Sequence, residues 1–302
     1  MKKLLVVSLA LLLILAYAVP SFAAGDRVKV AVSIFPIADI VKQVGKDNVT
    51  VAILLPPSAS EHTFEPTPKQ MMELRDARVF IKVGAGLEAW AEGVVRAVAN
   101  KDLIQVDLSK GMPLIYGVHE HEGAAVRDSS GRSADPHFWL DPVLAKRIVD
   151  KVADALKQAD PRNRDFYAAN AVKYKADLDA LNRGIALKIS RFRVKEYVTF
   201  HAAWNYFSKR YGLKVIGVIE EAPGREPSPA HIAELVKGLK KLNTRVVFAE
   251  PQFNPRIAEA IAREAGAKVL FLDPLGAPNA PDKDSYIRLM RYNVDQMRKA
   301  ME

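Results

Sequence analysis

The chain has 302 residues, with 44 Lys and Arg against 35 Asp and Glu, 16 Gly, 18 Pro and no Cys. That length suits two domains of about 100–200 residues each, and the missing cysteine excludes a disulfide framework and a lipid carried on a thiol. The formal charge of +9 is interspersed rather than gathered into a basic stripe with aromatic residues among it, so it reads as solvated surface and argues against nucleic acid as a partner.

Met1-Lys2-Lys3 runs into an apolar stretch from Leu4 to Val19, followed by Pro20-Ser21-Phe22-Ala23-Ala24. This is the pattern of a secretory signal peptide cleaved between Ala23 and Ala24. A spanning helix would need about 20 apolar residues and anchors on its far side. Setting residues 1–23 aside leaves 279 residues with 42 basic against 35 acidic, a net charge of +7. A periplasmic protein without a lipid anchor is the expectation.

Short apolar runs then alternate with helical periodicities. Strands are predicted at Val28 to Ile34, Val49 to Leu55, Val79 to Val83 and Leu103 to Val106, with helices at Ile37 to Val44, Met71 to Asp76 and Leu87 to Val98. The second half continues in the same style, with strands at Tyr197 to Phe200, Val215 to Ile219, Val246 to Ala249 and Val269 to Leu272. Its helices are predicted near Trp204 to Arg210, Ala230 to Leu242, Arg256 to Ala265 and Tyr286 to Met301. Alternating strand and helix predicts an α/β fold with mostly parallel sheets flanked by helices. No short-period repeat is visible, and the halves look alike in style only.

Four helix starts are marked by a capping residue followed by proline: Thr67-Pro68, Asp141-Pro142, Asp160-Pro161 and Asn254-Pro255. The side-chain oxygen accepts an orphan N–H, and proline at the first helical position sacrifices none. From Asp141 to about Arg191 no strand signal occurs, and residues 161–192 read as one long helix joining an N-terminal lobe, 24–160, to a C-terminal lobe, 193–302. Gly184 is its one weak point. The stretch 117–134, with His119-Glu120-His121-Glu122, has no apolar period and reads as a loop.

Of six histidines, three stand where strand-like runs give way to loops: His62 in Ser60-Glu61-His62, His137 in Asp135-Pro136-His137-Phe138-Trp139-Leu140-Asp141-Pro142, and His201 after Tyr197 to Phe200. Ligands of open α/β sheets bind outside the carboxyl ends of strands. His62 and His201 belong to opposite halves, so a shared site lies in the cleft between them. Asp273, in Leu272-Asp273-Pro274-Leu275-Gly276, also follows a strand. Three neutral imidazoles suit Zn²⁺ with a carboxylate or water as fourth donor; Asp273, Glu61 and Glu65 are the alternatives. Asp141 reads as a cap, and His231 as an exposed residue on a first helical turn.

These motifs, in this order, resemble the metal-binding receptors of ABC importers for zinc and manganese, especially the zinc-uptake type. Ser60-x-His62, Asp135 to Pro142, Phe200-His201, Phe248-Ala249-Glu250-Pro251-Gln252-Phe253 and Leu272 to Gly276 carry the resemblance, which covers the whole mature chain. It implies two α/β lobes joined by one long linking helix and a metal held by His62, His137, His201 and Asp273. Histidine at the third position, where manganese receptors commonly place glutamate, points to Zn²⁺ as cargo. It further implies a monomer delivering the ion to an ABC transporter permease in the inner membrane. The long histidine-rich insertion common before the second histidine is reduced here to His119 and His121. The competing readings are the same role for Mn²⁺ or Fe²⁺, a zinc-dependent hydrolase, and an adhesin-like or purely structural exported protein. The hydrolase finds no His-Glu-x-x-His helix, nucleophile elbow or phosphate loop in the sequence.

Overall fold

The computed structural model describes residues 27–117, 126–222, 224–241 and 246–302. The predicted signal peptide and the His119–His121 segment lie outside the described residues. The first half runs β1 (Val28–Val32), α1 (Phe35–Gly45), β2 (Val49–Ile53), α2 (Pro68–Arg75), β3 (Val79–Lys82), α3 (Ala91–Val98) and β4 (Ile104–Asp107). After α4 (Pro142–Ala159) and α5 (Arg164–Ile189), the pattern returns as β5 (Glu196–Thr199), α6 (Asn205–Tyr211), β6 (Lys214–Val218), α7 (Pro229–Lys241), β7 (Val246–Ala249), α8 (Arg256–Ala265) and β8 (Lys268–Phe271), closed by α9 (Tyr286–Met301).

Both sheets are four-stranded and parallel, in the orders β2-β1-β3-β4 and β6-β5-β7-β8. The halves thus share one topology, a repeat of architecture that no repeat of residues announced. In each sheet the first strand sends its chain to one side and the third and fourth lie on the other, so the direction of winding reverses between β1 and β3 and between β5 and β7. Central strands are mostly apolar, as strands covered on both faces must be; all four residues of β7 are buried, and the polar exceptions are Lys29 in β1, Lys82 in β3 and Glu196 and Thr199 in β5.

Helix faces follow from spacing. In α1, Ile37, Ile40, Val41 and Val44 fall on one stripe and are buried. In α5, Tyr167, Ala171, Tyr174, Leu178, Leu181, Ile185 and Ile189 recur every three or four residues and are buried, a helix of 26 residues and about 39 Å. It continues through Gly184 unbroken, but it begins later than expected. Pro161–Asn163 form a separate 3-10 turn, and the Asp160 carboxylate accepts from Tyr167 Oη and the Asn163 amide instead of capping the backbone. Asp141 does cap α4, accepting from Val143 N at 2.8 Å.

The predicted helix at Leu87 starts only at Ala91, because Glu88 turns back to accept from the amides of Val83 and Gly84 at 2.8 and 2.9 Å. The joint between lobes is also broader than one helix. Asp39 Oδ2, on α1, accepts from Tyr286 N at 2.9 Å and Tyr174 Oη at 3.4 Å. Lys188 meets Asp295 at 2.7 Å, and Arg193 N donates to Met301 O. These anchors lay α9 parallel to α5 and start it against the first lobe. No helix among the described residues is long and apolar enough to cross a membrane.

Candidate metal centre

His62 and Glu61 lie in the loop after β2, His137 in the long connection between β4 and α4, and His201 directly after β5, next to the point where the second sheet reverses its winding. The structure brings all three histidines together. His137 Nε2 lies 3.2 Å from His62 Nε2 and 3.3 Å from His201 Nε2. Glu61 Oε1 stands 3.9 Å from His137 Nε2 and 3.6 Å from His201 Nε2. One donor atom from each of the four residues lies within 4.8 Å of all the others. A tetrahedron with zinc–nitrogen bonds of 2.0–2.1 Å has edges of about 3.3–3.4 Å, so His137 Nε2 already stands at about zinc spacing from both other ring nitrogens.

Carboxylates behind the rings decide which nitrogen faces the cleft. Asp135 Oδ1 lies 2.8 Å from His137 Nδ1 and accepts from His137 N at 2.9 Å. Glu250, at the end of β7, places Oε2 at 2.7 Å from His201 Nδ1. A carboxylate on Nδ1 holds the proton there, turning the Nε2 lone pair inward and raising its basicity. Two lone pairs facing each other at hydrogen-bond distance repel unless a cation or proton stands between them.

The electrostatics agree. Burial alone would depress His201, but Glu250, with Glu61 and Glu220 behind it, outweighs this and raises the imidazole to about 9. Burial pushes the Glu61 carboxyl up to about 7, with the His201 charge working against the rise. Among the described residues neither oxygen of Glu61 finds a hydrogen-bond donor. A buried carboxylate without donors, beside three converging imidazoles, is a site shaped for a cation.

Asp273, the expected fourth ligand, is placed outside this group. Its Oδ1 accepts from Leu275 N and Gly276 N at 3.0 and 2.9 Å and from Gln252 Nε2 at 3.3 Å, while Lys283 Nζ holds Oδ2 at 2.6 Å. The carboxylate is committed to a turn and an ammonium. Glu65 is exposed. His231, expected to be exposed, is partly buried, with Nε2 2.7 Å from Val218 O. The sequence showed Glu250 as part of a motif; its place behind His201 depends on β5 and β7 being neighbours.

Two doubly wound lobes of one topology, with a histidine-rich cation site where loops from both meet, define a two-lobed metal receptor. The chain belongs to the family described as zinc-uptake complex component A, periplasmic (ZnuA), which it matches over residues 30–300. It is 33% identical over 285 residues to the high-affinity zinc uptake system protein ZnuA of Bacillus subtilis (strain 168), covering 92% of this chain and 88% of that one. It is 29% identical to the zinc-binding lipoprotein AdcA of Streptococcus pneumoniae serotype 4, over 100% of this chain and 62% of that longer protein. A crystal structure of ZnuA superposes with a TM-score of 0.82 at 31% identity, covering 92% of this chain and all of that one. The laminin-binding protein Lmb of Streptococcus agalactiae, described as a bifunctional protein with adhesin and metal-transporting activity, gives 0.79 at 31% identity, covering 92% of this chain and all of that one. The family and its zinc-uptake members are binding components of transporters, not enzymes.

Proposed function

We propose that this protein captures Zn²⁺ in the periplasm and delivers it to an ABC-type permease in the inner membrane. The observation that carries the reading is the cluster itself: His137 Nε2 at tetrahedral-edge spacing from His62 Nε2 and His201 Nε2, with the Glu61 carboxylate beside them. The ligands are His62, His137, His201 and, as fourth donor, Glu61 in place of Asp273. Three nitrogens and one oxygen suit zinc, whereas manganese favours oxygen-rich shells. With Glu61 bound the tetrahedron is closed, which leaves no position for the activated water a hydrolase requires. The zinc-uptake function of the Bacillus subtilis relative supports the cargo, and the family description supports the compartment. The protein works as a monomer, exported by the leader at residues 1–23, and its sequence offers no cysteine to carry a lipid.

Metal analysis of protein purified without added metal, followed by chelator-buffered titration, tests this. One zinc per chain is expected, lost on His201→Ala. Zinc binding that survives intact in His201→Ala and His137→Ala would overturn the reading.

A further inference from the structure

The short helix α6 belongs to the second lobe, yet three of its side chains hold the first lobe's His137 segment at both ends. At one end, Asn205 Nδ2 donates to Asp135 Oδ2 at 3.0 Å, and Tyr206 Oη donates to Asp135 O at 2.8 Å while accepting from Ile115 N at 2.9 Å. At the other, Arg210 grips Asp141 with Nε 3.0 and 2.9 Å from its two carboxylate oxygens and a terminal nitrogen at 2.8 Å. Between these grips stands His137, wholly buried. The same carboxylate that takes Asn205 on one oxygen takes His137 on the other.

We infer that α6 is a clamp that positions His137 for the ion, with Asn205 acting through Asp135 and Arg210 through Asp141, so that these two residues set how long zinc is held. The inference rests on the zinc-capture reading above. His201 leads through the 3-10 turn Ala202–Trp204 directly into α6. One displacement of this helix therefore moves one ligand and releases the support of another. Without the Asn205 amide, the nearly buried Asp135 carboxylate loses a donor and can turn away from the imidazole. Groups behind metal-bound histidines typically change affinity about 10–100-fold when removed.

The test uses the full mature chain loaded with Zn²⁺. Zinc release into excess chelator is followed by stopped flow for the wild type, Asn205→Ala, Asn205→Asp and Arg210→Gln, and histidine ring ¹⁵N–¹H spectra report the Nδ1–H of His137. Asn205→Asp keeps the shape but sets a carboxylate against Asp135. The Arg210 side chain is 36% exposed, so its replacement leaves the core intact and provides a second, foldable variant. Both Asn205 variants should release zinc about 10–100-fold faster and Arg210→Gln more modestly, all with a shifted His137 Nδ1–H resonance. Wild-type release rates with an unmoved His137 resonance in Asn205→Ala and Arg210→Gln would overturn the clamp. A wild type that binds no zinc would instead refute the capture reading.

Discussion

Zinc must displace protons to enter the proposed site, and the raised His201 and Glu61 set an expected number. With His201 raised to about 9 and Glu61 to about 7, the metal-free protein at pH 7 holds about one proton on His201 and about half a proton on Glu61, so binding should release about 1.5 protons. At pH 9 about 0.5 should be released. Integrating that slope, the apparent affinity should rise about 100-fold between pH 7 and pH 9, where ordinary imidazoles near pKa 6.5 would have finished titrating. The stability of the metal-free protein moves the other way. His201 is raised from 6.5 to about 9, so its contribution, about 3 kcal/mol at roughly 1.36 per unit, is full below pH 6.5 and lost as pH rises through 9. Calorimetric titration in two buffers of different ionisation enthalpy counts the protons, and chelator competition at both pH values gives the affinity ratio. Fewer than about 0.5 protons released at pH 7, with a flat affinity from pH 7 to 9, would refute this account.

Glu250→Gln should let His201 fall toward its ordinary range, flattening the rise in affinity above pH 7 and weakening zinc binding by about 10-fold or more, as read by the same competition assay. Glu61→Gln should weaken zinc at least about 10-fold, whereas Asp273→Asn should change it by less than about 3-fold. Asp273→Asn should instead lower the unfolding free energy obtained from urea titration by about 1–3 kcal/mol, because the Lys283 ammonium loses its charged partner. Asp39→Ala leaves the buried Tyr286 N–H without its acceptor and should cost about 1–3 kcal/mol in denaturant unfolding, with zinc stoichiometry unchanged.

Local signals made most elements readable. Apolar runs placed every strand within a residue or two, and proline with a capping residue marked α2 and α4. Asp160-Pro161 misled because the carboxylate had a better partner in Tyr167, one helical turn into the next helix and invisible as a contact until that helix packs. His201 was legible from its strand end, directly after β5, whereas His62 and His137 lie in longer loops, after β2 and β4, and were legible from their motifs. The place of Glu61 beside them was not, since Asp273 satisfies the same strand-end rule. Its Pro274-Leu275-Gly276 turn, which needs an acceptor for its amides, was the signal that pointed elsewhere. The clamp of α6 and the seat of α9 against α1 join residues 69 to 247 positions apart, and no local pattern encodes such distances.

The same separation governs when the ion can be held. Between His62 and His137 lie 75 positions, and between His137 and His201 another 64. An extended chain offers only solitary imidazoles, and a first lobe folded alone still lacks His201 and the helix that steadies His137. Loading is therefore a report of completed assembly. Zinc stabilises only the fully formed protein, by an amount that grows with the logarithm of its concentration over the dissociation constant, so in metal-poor surroundings the receptor is both empty and easier to unfold.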